Sequence, residues 1–505
     1  MSAVAAPAVV VDDRSLIVFA ALLATYMQGV NISLPNAALL HIQASLSMSD
    51  DEVGWIFSSY IAGSAMVMPM ARWLAGRFGR KLVLQVALAI FAVALLLVTL
   101  ATTPLQFVAA RIIQGAASGV IAPISMAILL DVTPAQGHGR LGLVSAATAL
   151  VGILSGPGIG GWLSEYQGWR SMFYLGLPMA GFVFLTMTLC LPEKKAAQNP
   201  PFDFIGAGTF TLGLIGLQLL LDRGERVEWF ASAESCLEAA VSATGFLLFF
   251  AHILTSKSHF LDKALFRDRN FVLSTLMFFA FGFVLLPTVA LTSPMLEELL
   301  GYPPDTTGYM TIPRSLALIG ALVLTWRAPT RIDNRLLILG GMGLVAYANS
   351  RMLGYSPLMD GWTVVLAGVL QGIGLGVLMP ALTRAAFSTL APRLRPEGGA
   401  LFNLSRLYGS TIGIAIVQLF FYDNTQAMHL ALAKNLRPQH AAAHVAGSLP
   451  TSGLAALNDA VTGQAAMVAM VDQFKLLMVV MLVASPLALL LRKPQPAAGL
   501  LGAAR

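Results

Sequence analysis

The chain has 505 residues, 57% of them apolar and 11% charged, with a mean hydropathy of +0.75. That balance excludes a soluble globular protein, and a net charge of +6 is the ordinary basic excess of cytoplasm-facing loops, so nothing points to nucleic acid. Cys190 and Cys236 stand alone in apolar stretches, without the spacing of a disulfide framework or a metal site.

Apolar runs of about 20 residues, each long enough to cross a bilayer, follow one another along the chain. Asp12, Asp13 and Arg14 precede the first run with no small-residue cleavage site, which predicts an uncleaved signal anchor. Fourteen segments are expected, at about 15–40, 53–74, 83–101, 105–130, 141–164, 171–191, 204–222, 235–255, 271–293, 310–327, 336–356, 361–386, 400–421 and 473–491. Arg77, Arg80, Lys81, Arg140, Lys194, Lys195 and Arg492 then fall on one side with most of the basic residues, which places both termini in the cytoplasm. Trp55, Trp73, Trp162, Trp169, Trp326 and Trp362 fall near segment ends, as in an interfacial aromatic belt.

The fourth and fifth segments carry the strongest pattern. Arg111 precedes Gln114-Gly115, Gly119-Val120 and Pro123, and the next segment has Gly152, Gly156-Pro157 and Gly160-Gly161. Glycines four apart share a helix face and admit close approach of a second helix, and Pro157 leaves a carbonyl unpaired and bends its helix. A charge such as Arg111 at mid-membrane costs about 2.5–3.5 kcal/mol on insertion scales. Gln371-Gly372, Gly376-Val377, Pro380, Gly409 and Gly413 repeat this pattern at a constant offset of 257. Such a repeat at matching helices signals a duplicated bundle, a construction common in transporters.

The offset spans eight helices, so the expected architecture is all-α: a six-helix bundle (1–203), two inserted helices (204–255) and a second six-helix bundle (256–505). Lys257 to Arg269, with Phe260, Leu261, Leu265 and Phe266 interleaved, reads as an amphipathic interfacial segment. The hydrophilic connection 422–472 is expected to form short surface helices in an external loop. His440 and His444 share a helix face there, but no carboxylate or cysteine stands at ligand spacing, so no metal is expected.

The loop after the second segment reads Arg72-Trp-Leu74-Ala75-Gly76-Arg77-Phe78-Gly79-Arg80-Lys81 and resembles the signature loop of the major facilitator superfamily. Leu74, Ala75, Arg77, Gly79, Arg80 and Lys81 match; Arg72 stands where that loop has glycine and Gly76 where it has aspartate. Asp131 is the acid left to pair with Arg77 or Arg80. Arg111 with Gln114-Gly115 resembles the family's buried arginine motif, and Gly152, Gly156-Pro157 and Gly160-Gly161 resemble its antiporter motif, with Leu143 at the expected first glycine. Trp169-Arg170, Phe173-Tyr174 and Pro178 resemble the sixth-helix start of fourteen-helix drug:proton antiporters of the EmrB/QacA type.

The resemblance implies a transporter fold of the inner membrane, driven by a proton gradient without a bound cofactor. It implies export of amphiphilic small molecules, with uptake or export of one specific metabolite as the alternative. A periplasmic adaptor and an outer-membrane channel are partners of the kind it suggests. The implied cavity lies between the bundles, on helices carrying Gln28, Asn31, Arg111, Gln114, Arg314, Gln371, Asn403 and Arg406. One departure matters: Asn31, Leu34 and Pro35 fit the first-helix pattern, but Tyr26 occupies its acidic position. No acid lies at mid-membrane in the first six segments, which leaves titration of Asp131, titration carried by the substrate itself, or weak coupling, with the first two favoured. An enzyme is not expected, because no His-Glu-x-x-His, Gly-x-Ser-x-Gly or carboxylate dyad occurs within the segments.

Overall fold

In lipid, every backbone amide and carbonyl needs an internal partner, and unbroken apolar stretches meet that need as helices. The computed structural model describes residues 13–49, 52–134, 138–192, 203–223, 229–256, 263–327, 332–391, 394–434 and 451–492, and these are helical almost throughout. The first bundle comprises α1 (Asp13–Ser33), α2 (Trp55–Val67), α3 (Arg80–Leu100), α4 (Pro104–Val132), α5 (His138–Gln167) and α6 (Gly176–Cys190). The inserted pair is α7 (Phe204–Arg223) and α8 (Ala233–Thr255). The second bundle comprises α9 (Arg269–Pro294), α10 (Pro304–Arg327), α11 (Asn334–Met352), α12 (Gly361–Ser388), α13 (Arg395–Lys434) and α14 (Thr451–Ala484).

Helix starts follow capping chemistry. Thr103 accepts from the Gln106 amide ahead of Pro104, and Asp268 accepts from the Phe271 amide at the head of α9. Gly79 separates α2's continuation (Ala71–Phe78) from α3 with φ +86°, a backbone region that side chains disfavour, which accounts for the glycine in the signature loop.

Twelve helices among the described residues are long and apolar enough to cross a membrane. The two remaining expected segments fall short for visible reasons. A 3-10 turn at Met68–Met70, which contains Pro69, breaks the second segment between Trp55–Val67 and Ala71–Phe78. α11 is 19 residues long and carries Asn334, Arg335, Asn349 and Arg351 near its ends.

The duplication is visible in three dimensions. Gly115 and Gly119 of α4 abut the backbone of α2 at Tyr60 and Ser64, and Gly372 and Gly376 of α12 abut α10 at Arg314 and Leu318. Gly152 and Gly156 of α5 abut α1 at Tyr26 and Ser33, while Gly409 and Gly413 of α13 abut α9 at Phe279 and Phe283. Each repeated glycine therefore receives the equivalent helix of its own bundle.

Two hydrophobic cores result, and they exchange a few side chains at the seam. Leu150 and Leu154 of α5 pack in the second core, and Leu286, Leu407 and Ile414 pack in the first. The inserted pair packs against α2 and α13 at the periphery, through Phe204 on Trp73 and Phe210 on Tyr408.

Two expectations need correcting. The connection 422–472 is not a loop of short helices over its described part: α13 continues to Lys434 and α14 begins at Thr451. With 40 residues, α13 is roughly 60 Å long, twice a hydrocarbon core of about 30 Å, so these helix ends stand clear of the membrane. There His429 meets Asn458 at 3.3 Å. Trp169 is not in an interfacial belt; it is 6% exposed, edge-on to Phe107 and Phe173, with the Arg170 guanidinium over its ring. His440, His444, Lys194, Lys195 and residues 257–262 of the basic stretch lie outside the described residues.

Candidate translocation cleft

The face that meets the other bundle is set by a second row of small residues on α5. Gly152, Gly156 and Gly160 point to α1, whereas Gly158 lies against Gly308, and Gly161 against the Pro304 carbonyl, both on α10. Ser315 of α10 donates to the Leu154 carbonyl at 3.2 Å, and the Tyr166 hydroxyl reaches Asp305 at 3.5 Å. Along α5, from Leu154 to Tyr166, the bundles are thus in backbone-close contact. On the other flank Gly54, ahead of α2, meets the Gln418 side chain of α13.

Toward the opposite end of the same two helices the bundles separate. A cleft of about 520 Å³ opens between Val144, Ala147, Thr148 and Val151 of α5 and Val323, Trp326 and Arg327 of α10. α5 starts and α10 ends on the face that carries Asp13 and Arg492, the first and last described residues (the termini face), so the cleft opens to that face and is sealed on the other. Its walls are apolar apart from Thr148 and Arg327.

Most of the expected polar residues are drawn into the bundles instead. Arg111 is 0% exposed and donates from Nε to Ile56 O at 3.3 Å, from Nη1 and Nη2 to Asn31 O at 3.2 Å, and from Nη1 to Gln114 Oε1 at 2.8 Å. Gln114 in turn donates to Asn31 Oδ1 at 2.9 Å, and the guanidinium lies 4.5 Å from the Tyr60 ring centre. The Tyr60 hydroxyl donates to Ser118, and Gln28 donates to the Ser118 carbonyl at 3.3 Å. This network satisfies an unpaired cation with carbonyls and π faces and ties α1, α2 and α4 together. Arg111, Gln114, Gln28 and Asn31 therefore lie inside the first bundle and present almost no surface to the cleft.

The second bundle repeats part of it. Gln371 donates to Thr288 at 3.1 Å and to Asn349 at 2.9 Å, and Thr288 stands at the 257 offset from Asn31. Arg314 is 7% exposed and donates only from Nη2, to Leu285 O at 3.3 Å. Arg406 is half-buried on α13, and Asn403, one turn earlier, is exposed. The Tyr26 hydroxyl bonds Ser155 at 3.0 Å in the α1–α5 contact.

At the termini face the signature loop is fastened twice. Asp131 at the end of α4 forms an ion pair with Arg80, which also donates to Ala127 O at 3.1 Å. Lys81 donates to Thr188 O and Leu191 O at 2.8 and 2.7 Å, where a cation suits the C-terminal end of α6. Arg77 lies over the rings of Trp73 and Phe78.

Gly158 and Gly308, the residues that let the bundles touch, were not singled out in the sequence. The available signal was Gly158 three residues before Gly161, a small-residue row distinct from the 152–156–160 row. Glu297 was missed as well, because α9 continues as a π-turn over Met295–Leu299 beyond the expected end of its segment. Its Oε1 is buried without a hydrogen-bond partner.

A family model described as Major Facilitator Superfamily matches residues 17–414. Among similar proteins, the Multidrug export protein EmrB of Haemophilus influenzae is 27% identical over 427 residues, 84% of this chain and 83% of that protein. The Multidrug export protein EmrB of Escherichia coli K12 is 25% identical over 421 residues, 82% of each. The crystal structure of a bacterial homolog to the human lysosomal transporter Spinster, inward-facing and unoccupied, superposes with a TM-score of 0.63 at 16% identity, covering 96% of this chain and 99% of that one.

Proposed function

The chain belongs to the major facilitator superfamily, and from that premise we propose that it exports amphiphilic small molecules across the cytoplasmic membrane in exchange for protons. The observation that carries this reading is the cleft itself. A largely apolar space of about 520 Å³ lies between two bundles, sealed at one end by a glycine seam and open at the other. Rocking about that seam exchanges the open end. The names of the EmrB relatives support drugs as the cargo.

The same reading assigns fourteen membrane crossings, with broken α2 and short α11 included because each is packed between crossing helices. It places the termini in the cytoplasm, in keeping with the basic residues of the termini face. A periplasmic adaptor and outer-membrane channel complete the proposed route, supported by the α13–α14 extension on the face opposite the termini.

Inverted membrane vesicles loaded with a pH-sensitive dye and offered lipophilic cations, anions and antibiotics test it. An exported compound discharges the pH gradient and accumulates in the vesicles; a panel that does neither contradicts export.

A further inference from the structure

The two bundles treat their buried arginines differently. Every guanidinium nitrogen of Arg111 donates a hydrogen bond. Arg314 uses Nη2 alone, and its Nε is buried without an acceptor. No carboxylate lies within ion-pair distance of Arg314 among the described residues. Two further buried donors of the same bundle lack acceptors. The Tyr355 hydroxyl, 6% exposed, lies within electrostatic reach of the guanidinium. Asn349 Nδ2 is 0% exposed on a side chain that Gln371 already fixes through Oδ1. Gln371 sits on α12 one turn from Gly368, and the Arg314 stem lies along Gly368, so α10, α11 and α12 bring the group together. Burying a cation and two donors without acceptors is unfavourable, and an anionic oxygen at their meeting point relieves it.

We propose that Arg314, Tyr355 and Asn349 form a binding site for the acidic head of an amphiphilic substrate whose apolar body lies in the cleft. This rests on the export reading and names its substrate class. Arg314 is one residue from Ser315, which holds Leu154 at the closed end of the cleft. From there to Val323 in the cleft wall is nine residues of helix, roughly 13 Å, a distance a dodecyl chain covers. Gln371 Oε1, the group's one acceptor without a donor, suits a head that carries a proton or hydroxyl beside its anionic oxygen. A carboxyl group meets the two demands in its two protonation states, the anion at the three donors and the protonated acid at Gln371 Oε1.

The test uses the full chain in lipid nanodiscs, with quenching of Trp326 in the cleft wall as the signal and Trp326→Phe as its control. Dodecanoate, dodecanol and dodecyltrimethylammonium are the probes. The wild type binds dodecanoate about tenfold more tightly than the other two, as a buried charge-assisted contact implies. Arg314→Gln abolishes that preference by weakening dodecanoate about tenfold; Tyr355→Phe, a milder change that keeps the ring on Phe474, weakens dodecanoate less. Equal affinity for the three probes in the wild type overturns the proposal. So does displacement of dodecanoate by an equal concentration of acetate, which assigns the site to a free small anion. Because binding is read without transport, an Arg314-dependent preference in a chain that moves none of the probes in vesicles contradicts the export reading and leaves the acid site standing.

Discussion

Ser33 of α1 donates its hydroxyl to the carbonyl of Ile153 in α5, the acceptor four residues before Pro157 that proline leaves without an amide. The bend in α5 and the close packing of α1 are thus one arrangement: Gly156 lets Ser33 approach, and Ser33 replaces the lost helix bond. Ser33→Ala leaves that carbonyl unpaired in an apolar interior and destabilises the protein by about 1–3 kcal/mol. Pro157→Ala restores an amide donor, so the double variant should recover most of the loss. Melting temperatures of the four proteins of this cycle check the coupling; additive losses would show that the two residues act separately.

Gly156→Leu should abolish transport while membrane insertion and expression remain largely normal, because a side chain there meets Ser33 and the Leu34 amide. Gly320→Ala, on the neighbouring bundle's α10, faces nothing within 4 Å and should transport at the wild-type rate. Vesicle transport normalised to expression separates them; equal rates in both variants contradict the packing argument.

Much of this was legible in the sequence because glycine spacing and buried charge are local signals. The 257 offset correctly paired α4 with α12 and α5 with α13, since a close helix contact needs glycine wherever it recurs. The direction of a buried side chain is not local. Gln28, Asn31 and Gln114 read as cleft residues from their helices, but each finds a partner across the α1–α4 contact of its own bundle. The length of α13 was also hidden, because polar residues after Tyr422 end an apolar run without ending a helix.

Arg111→Ala should impair transport more than any other single charge removal, because it leaves two carbonyls and Gln114 without their donor in the first bundle. Asp131→Asn, which breaks the pair with Arg80 at the termini face, should impair it more than Glu238→Gln, buried in the inserted pair. Initial rates at several imposed pH gradients rank the three. If Glu238→Gln alone removed gradient dependence, the coupling site would lie in the inserted pair.

A reporter active only outside the cytoplasm should be active when fused near Pro450 and silent near Lys195. The reverse pattern would invert the assigned orientation.

The central claim is that the two bundles exchange the open end of the cleft about the α5–α10 seam. Paired spin labels at Thr148 and Val323, across the cleft, and at Tyr166 and Tyr309, across the sealed end, measure both sides of the motion at once. In the wild type under an imposed proton gradient with substrate, and in Gly161→Leu, whose side chain wedges α5 from Pro304, the first distance should shorten as the second lengthens. Distances that stay fixed in every state, or that change in the same direction, would contradict alternating access at this seam.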